Sequence, residues 1–251
     1  MSDPESNFRV ALVTGAGRNI GRAIALALAQ DGAAVIVNAR TSEAEAQAVV
    51  DEISAAGGQA TRCLADVTNR LAVNAMIDKV RRVYGRLDIL VNNAAIRDEC
   101  PFEQTTYAAW RGALDVCLDG AFHCTQAALP LLQQSGAASV INIGGLTAHT
   151  GASQRVHVVT AKAGLVGMTR ALAHELAPQG ITVNCVSPGL IDTRRAADAA
   201  APHHHAQRQT LLGRRGLPSE VAEAVRWLSG PGGRYITGQV MHVNGGAYLG
   251  G

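Results

Sequence analysis

Thr14-Gly15-Ala16-Gly17-Arg18-Asn19-Ile20-Gly21 places glycines where a short apolar run gives way to a helical pattern. Glycine at such a turn lets the backbone approach a diphosphate, and the free N–H groups and dipole at the helix start attract that anion. A turn that only joins strand to helix uses glycine in the same way, so its place in the fold decides between the readings. Arg18 lies inside the turn, and Arg40 lies in Asn38-Ala39-Arg40-Thr41-Ser42 at the end of the next apolar run. Guanidinium forks suit a phosphate; Arg40 facing solvent is the plainer alternative. Asn19 suits a loop position of positive φ, a region asparagine visits more readily than most residues.

Other reactive side chains have weaker claims. Arg97-Asp98-Glu99 can bind or protonate a ligand, or form a solvated charge cluster. Cys117 is a nucleophile in principle and a small buried hydrophobe by ordinary expectation. His203-His204-His205 suggests a metal, but consecutive residues rarely converge on one ion and no carboxylate or cysteine stands at ligand spacing. No metal site is expected.

Short β-rich runs alternate with helical patterns along the chain. Strands are expected at Arg9 to Thr14, Ala33 to Asn38, Thr61 to Leu64, Leu87 to Asn92, Ser139 to Ile143, Thr182 to Ser187 and Gln239 to Val243. Helices are expected at Gly21 to Asp31, Ser42 to Ala56, Arg70 to Tyr84, through a long stretch to Gln134, at Val156 to Ala177 and at Ser219 to Ser229. Continuous apolar strands alternating with helices predict an α/β fold, a single-domain Rossmann fold with a doubly wound parallel sheet spanning residues 1–251. The glycine turn then sits on the first strand-to-helix connection, where nucleotides bind. The irregular stretch 192–209 follows a strand's carboxyl end and reads as a substrate lid.

Composition narrows the partners. The chain has 251 residues, 47% hydrophobic and 17% charged, with a formal net charge of +2. That is ample apolar material for one core and gives no basic patch for nucleic acid or anionic membrane. Five widely spaced cysteines without a Cys-x-x-Cys pair read as reduced thiols. With a polar N-terminus and no apolar run of membrane length, a cytoplasmic protein is expected.

The sequence resembles the short-chain dehydrogenase/reductase family over nearly its whole length. Thr14 to Gly21 matches the family's Thr-Gly-x-x-x-Gly-x-Gly with Asn19 for the middle glycine, and Asn92-Asn93-Ala94-Ala95 matches its Asn-Asn-Ala-Gly. Asp66-Val67 matches the segment that reaches the adenine. Pro188-Gly189, with Ile191 and Thr193, matches the segment beside the nicotinamide carboxamide, and Val243-Asn244-Gly245-Gly246 matches the closing signature. The resemblance implies a dinucleotide held by Gly15, Gly17, Arg18, Asn19, Ile20, Gly21, Arg40, Asp66, Val67, Asn93, Lys162, Pro188, Gly189, Ile191 and Thr193. The second strand ends without the carboxylate that binds a ribose 2′-hydroxyl, and Arg18 and Arg40 suit a 2′-phosphate. NADP(H) is therefore expected over NAD(H).

The family's proton chemistry uses a Tyr-x-x-x-Lys pair, a serine and an asparagine. Lys162 matches the lysine, whose family role is to hold the nicotinamide ribose and lower the phenol pKa. The tyrosine position holds Val158, the serine position Gly145 and the asparagine position Cys117. His157 adjoins the missing tyrosine and is a candidate acid, although adjacent helical residues point about 100° apart. Thr147 and His149 follow Gly145 as further candidates, with a solvated loop as their plainer reading.

Three functions stay open. The first is an oxidoreductase for a small carbonyl, imine or alcohol with another proton donor. The second is a lyase, isomerase or cyclase on the same scaffold, and the third a catalytically silent cofactor-binding subunit. By resemblance the chain forms a homo-oligomer, a tetramer through Thr106 to Gln134 and Val156 to Ala177.

Overall fold

The computed structural model describes residues 8–193 and 209–250. Most of the expected lid, 194–208, and the His203–His205 run therefore lie outside the described residues. Seven parallel strands form one sheet in the order β3-β2-β1-β4-β5-β6-β7. They are β1 (Val10–Val13), β2 (Ala34–Ala39), β3 (Ala60–Leu64), β4 (Ile89–Asn92), β5 (Ser139–Ile143), β6 (Thr182–Pro188) and β7 (Val240–Val243). The helices are α1 (Asn19–Gln30), α2 (Glu43–Ala55), α3 (Arg70–Tyr84), α4 (Tyr107–Leu114), α5 (Gly120–Gln134), the single turn α6 (Thr147–Thr150), α7 (Val156–Leu176) and α8 (Pro218–Ser229).

The apolar runs become central strands because helices cover both faces of the sheet. Val13, Val35, Val37, Ile89 and Ile141 pack with α1, α2 and α8, whereas Leu12, Ile36, Leu90 and Val140 pack with α3, α5 and α7. Truncating one of these buried side chains to alanine costs about 2–5 kcal/mol.

Local chemistry sets the ends of α3. The Asn69 side chain accepts hydrogen bonds from the N–H groups of Leu71 and Ala72 at 3.0 and 3.1 Å, and Gly85 closes the helix at φ 71°. These are the cap positions where asparagine and glycine are strongly preferred.

The expected long helical stretch to Gln134 is present, and within it α4 passes to α5 through a π-helical turn over Asp115–Asp119. The Arg111 guanidinium bridges Asp115 at 2.5 Å and Asp119 at 2.9 Å along this stretch.

A polar ladder joins the sheet to its helices beneath the carboxyl edge. Asn92 donates to Asn142 at 2.9 Å and to Thr125 at 3.1 Å, and Asn142 donates to Thr169 at 2.9 Å. It ties β4 and β5 to α5 and α7. Hydrogen-bonded buried networks of this kind fix one arrangement of the elements they join.

Candidate active site

The strand order reverses between β1 and β4, and a cleft of about 990 Å³ opens there along the carboxyl edge. The glycine turn forms one end. Gly15 has φ +60° and Asn19 φ +52°, so both occupy the left-handed region. A Cβ on Gly21 would collide with the Gly15 carbonyl and the Asn93 amide. The turn is pinned from two sides. Asn38 accepts from the Gly15 N–H at 3.3 Å and donates to the carbonyls of Cys63 and Ala65, while Asn93 donates to the carbonyls of Thr14 at 2.9 Å and Gly15 at 3.0 Å. The N-cap residue Arg18 makes no side-chain cap bond, and the first-turn N–H groups of α1 have no intrahelical acceptors. The arrangement is a cradle shaped for an anion.

Gly15, Gly17, Arg18, Asn19, Ile20 and Gly21 all line the cleft, as do Arg40, Asp66, Val67 and Asn93. Arg18 and Arg40 are exposed, and Arg18 lies 3.9 Å from Glu45, a separation that leaves the guanidinium little held. One Asp66 oxygen accepts from the N–H and hydroxyl of Thr68 at 2.9 and 2.8 Å, which fixes the carboxylate.

Pro188, Gly189, Ile191 and Thr193 form the opposite wall. The Gly189 N–H donates to the Val243 carbonyl at 2.9 Å, and a Cβ on Gly189 would come within 2.6 Å of the Asn244 backbone. The glycine is required by this close approach.

Between the walls lies Lys162, 6% exposed, whose Nζ donates to the Ile143 carbonyl at 2.5 Å. Burial pushes its pKa down, and the charges of Arg97 and Arg155 push it further, against the opposing effect of Cys117 and Cys185. Burial in turn raises the Cys185 thiol to about 11, so it remains protonated near neutral pH. Val158, one helical turn before Lys162, and Gly145 both line the cleft. A Cβ on Gly145 would meet nothing within 4 Å.

No tyrosine lines the cleft among the described residues. Tyr84 hydrogen-bonds Thr61, Tyr107 and Tyr235 are exposed, and Tyr248 stacks against His149.

The other candidates separate. Arg97, Asp98, Glu99 and Thr147 line the cleft; His157, Cys117 and His149 do not. His157 is 2% exposed, and its Nδ1 is buried without a hydrogen-bond partner. It points elsewhere because it lies one helical step, about 100° of rotation, from Val158. Cys117 is buried in the π-helical turn, while its neighbour Val116 reaches the cleft.

Sequence reasoning gave no role to Arg155, which is 7% exposed and lines the cleft. The signal was present: Arg155, Val158 and Lys162 stand at i, i+3 and i+7, on one helical face.

Comparison with known proteins agrees with this architecture. Residues 15–248 match the family model described as enoyl-(acyl carrier protein) reductase. The chain is 40% identical over 241 residues to the 3-oxoacyl-[acyl-carrier-protein] reductase FabG of Staphylococcus aureus, covering 95% of this chain and 98% of that one. It is 39% identical over 246 residues to the (2S)-[(R)-hydroxy(phenyl)methyl]succinyl-CoA dehydrogenase subunit BbsD of Thauera aromatica, covering 96% and 97%. A short chain dehydrogenase from Burkholderia cenocepacia, solved in complex with NADP, superposes with a TM-score of 0.88 at 38% identity, covering 95% and 97%. With a parallel sheet in this strand order, a glycine cradle at its switch point and full-length likeness to these proteins, the chain belongs to the short-chain dehydrogenase/reductase family.

Proposed function

We propose that the protein is an NADP(H)-dependent oxidoreductase acting on a small carbonyl, imine or alcohol, with a proton donor other than the family's tyrosine. The observation that carries this reading is the single cleft that joins the glycine cradle to Lys162 while Val158 and Gly145 occupy its floor.

The residues fit the cofactor. The glycines whose Cβ positions are closed by neighbouring backbone leave the approach a diphosphate needs, and Arg18 and Arg40 supply cations at the end where a 2′-phosphate belongs. The relative solved with NADP supports the same choice. When bound, the nicotinamide supplies or accepts a hydride.

The chain's own residues do the rest. In this reading Lys162, held by the Ile143 carbonyl, orients the nicotinamide ribose. Pro188, Gly189, Ile191 and Thr193 form the wall for the carboxamide. Positioned proton transfer is worth roughly 10²–10⁴ in rate, and Val158 and Gly145 have no side-chain group to provide it. An imine already protonated in solution, or a proton delivered by water, removes that requirement.

A second reading is favoured by the same two residues: a non-redox enzyme or a silent cofactor-binding subunit also needs no tyrosine. Following the nicotinamide absorbance with a panel of ketones, imines and quinones separates the readings. Turnover of any of them supports the oxidoreductase. Substrate consumption at constant absorbance supports a lyase, isomerase or cyclase. Tight NADPH binding without any turnover supports the silent subunit.

We place the protein in the cytoplasm as a homo-oligomer, a tetramer by family likeness. The helices that would pair carry exposed Tyr107 and Phe122. No helix among the described residues is long and apolar enough to cross a membrane.

A further inference from the structure

Lysine is scarce in this chain. Of its 22 lysines and arginines only Lys79 and Lys162 are lysines, and Lys162 lines the cleft together with Gly145 and Val158. An arginine would also carry a charge and hold a hydroxyl. What lysine alone offers is an amine that can lose its proton and attack a carbon.

The surroundings favour that neutral form. Lys162 is 6% exposed, and its Nζ donates to one acceptor, the Ile143 carbonyl. No carboxylate among the described residues pairs with it. Burial is the largest cause holding its pKa below the ordinary lysine value, and Arg97 and Arg155, both engaged with partners of their own, act in the same direction. The thiols of Cys117 and Cys185 would favour an ammonium only as thiolates, and burial holds Cys185 up at about 11. A neutral amine has two hydrogens and a lone pair, so one hydrogen serves the Ile143 carbonyl and the lone pair stays available. Space lies near it as well. A Cβ on Gly145 would meet nothing within 4 Å, and Val158 brings only methyl groups to the lining. A desolvated lysine in a cleft is the arrangement that Schiff-base chemistry uses.

We infer that Lys162 is a nucleophilic amine that condenses with small aldehydes and ketones entering the cleft. The Nζ lone pair bonds to the carbonyl carbon as the C=O π pair moves to oxygen. Both amine hydrogens then leave with that oxygen as water, and a C=N bond remains. No oxidant or reductant is consumed. Once protonated, the imine draws electrons from the adjacent carbon, so bonds to that carbon form and break more readily, and no tyrosine is needed. An amine bonded to a substrate no longer offers its donors to a ribose. The activity therefore belongs to the cleft without dinucleotide and goes beyond the oxidoreductase reading.

Propanal with cyanoborohydride, added to the full-length protein near neutral pH without dinucleotide, converts each imine to a stable propylamine that peptide mass mapping locates. Lys79, which lies outside the cleft with its Nζ donating to the Arg62 carbonyl at 2.9 Å, is the internal control. The label should build up at Lys162 at least about tenfold faster than at Lys79, since an ordinary lysine, of pKa about 10.4, is almost wholly protonated there. That advantage should shrink as pH rises towards about 10.4, and should vanish in urea, readouts that accessibility alone does not move together. Equal rates at the two lysines near neutral pH, or labelling at Lys79 alone, overturns the proposal, as does a ratio that pH leaves unchanged. Lys162→Arg should lose the fast label; if that variant does not fold, the peptide map of the parent protein decides.

Discussion

Lys162 Nζ donates to the backbone carbonyl of Ile143 at 2.5 Å, joining the middle of the cleft to the carboxyl end of β5. The bond holds the lysine near Gly145, two residues beyond that strand. It places Lys162 near Gly145 and Val158, the positions at which the proposed reading finds the family's hydroxyls missing.

Restoring those hydroxyls should restore their chemistry. Gly145 has open space beside it, so Gly145→Ser fits without displacing a neighbour. Combined with Val158→Tyr, it should raise ketone reduction by roughly 10²–10⁴, the worth of positioned proton transfer. Steady-state NADPH oxidation with neutral ketones checks this. A folded double variant with no gain would show that more than two side chains separate this cleft from the family's reductase site.

Arg40 should discriminate between the dinucleotides. Arg40→Ala is expected to weaken NADPH binding about 10- to 100-fold, the loss of one or two charge-assisted hydrogen bonds, while leaving NADH binding nearly unchanged. Paired dissociation constants by fluorescence titration read the outcome. Equal weakening of both would assign Arg40 a structural role rather than a phosphate contact.

Gly21→Ala should be far more damaging than its size suggests. The new methyl group would meet the Gly15 carbonyl and the Asn93 amide that pins the turn. Overpacking of this kind costs about 1–3 kcal/mol. Denaturant melts should show that loss, together with weaker NADPH binding. Gly136→Ala, with nothing within 4 Å of its Cβ but a φ of +69°, is the control for backbone strain alone.

Stability should fall in mild acid. The His149 and His242 rings pack at a centroid distance of 4.6 Å, with Tyr248 against both. Burial lowers both imidazole pKa values; Arg170 lowers that of His149 further, and His149 that of His242. A histidine with a depressed folded-state pKa favours the neutral form, so its contribution is complete above the ordinary value of about 6.5. It is lost as pH falls from there through the folded-state values. Melting temperatures measured from pH 8 to pH 5 should decline below about 6.5, and a His149→Phe, His242→Phe protein should decline less. An identical decline in both proteins would clear the pair of responsibility.

Much of this was legible in the chain because the signals were local. The span Arg70 to Tyr84 was readable since Asn69 and Gly85 mark its ends chemically, and Ser139 to Ile143 since it is a short apolar run. The residues expected around the dinucleotide all reach one cleft, most because they follow strand ends, where register fixes their place, and Lys162 from within α7. What was not legible depends on contacts across the fold. The π-helical turn at Asp115–Asp119 accompanies ion pairs made by Arg111 that no periodicity displays. His157 adjoins Val158 in sequence yet does not line the cleft, because neighbouring helical residues diverge. Arg155 went unread for the converse reason: its helical face is clear only once Val158 and Lys162 are known to line the cleft.

On the proposed reading this cleft holds a phosphorylated dinucleotide without the family's proton-transferring hydroxyls. Isothermal titration of the purified protein with NADPH, and then with NADH, tests it directly. Saturable one-to-one binding of NADPH and clearly weaker binding of NADH are the expected result. Absence of binding heat for either dinucleotide, at several temperatures, would contradict it.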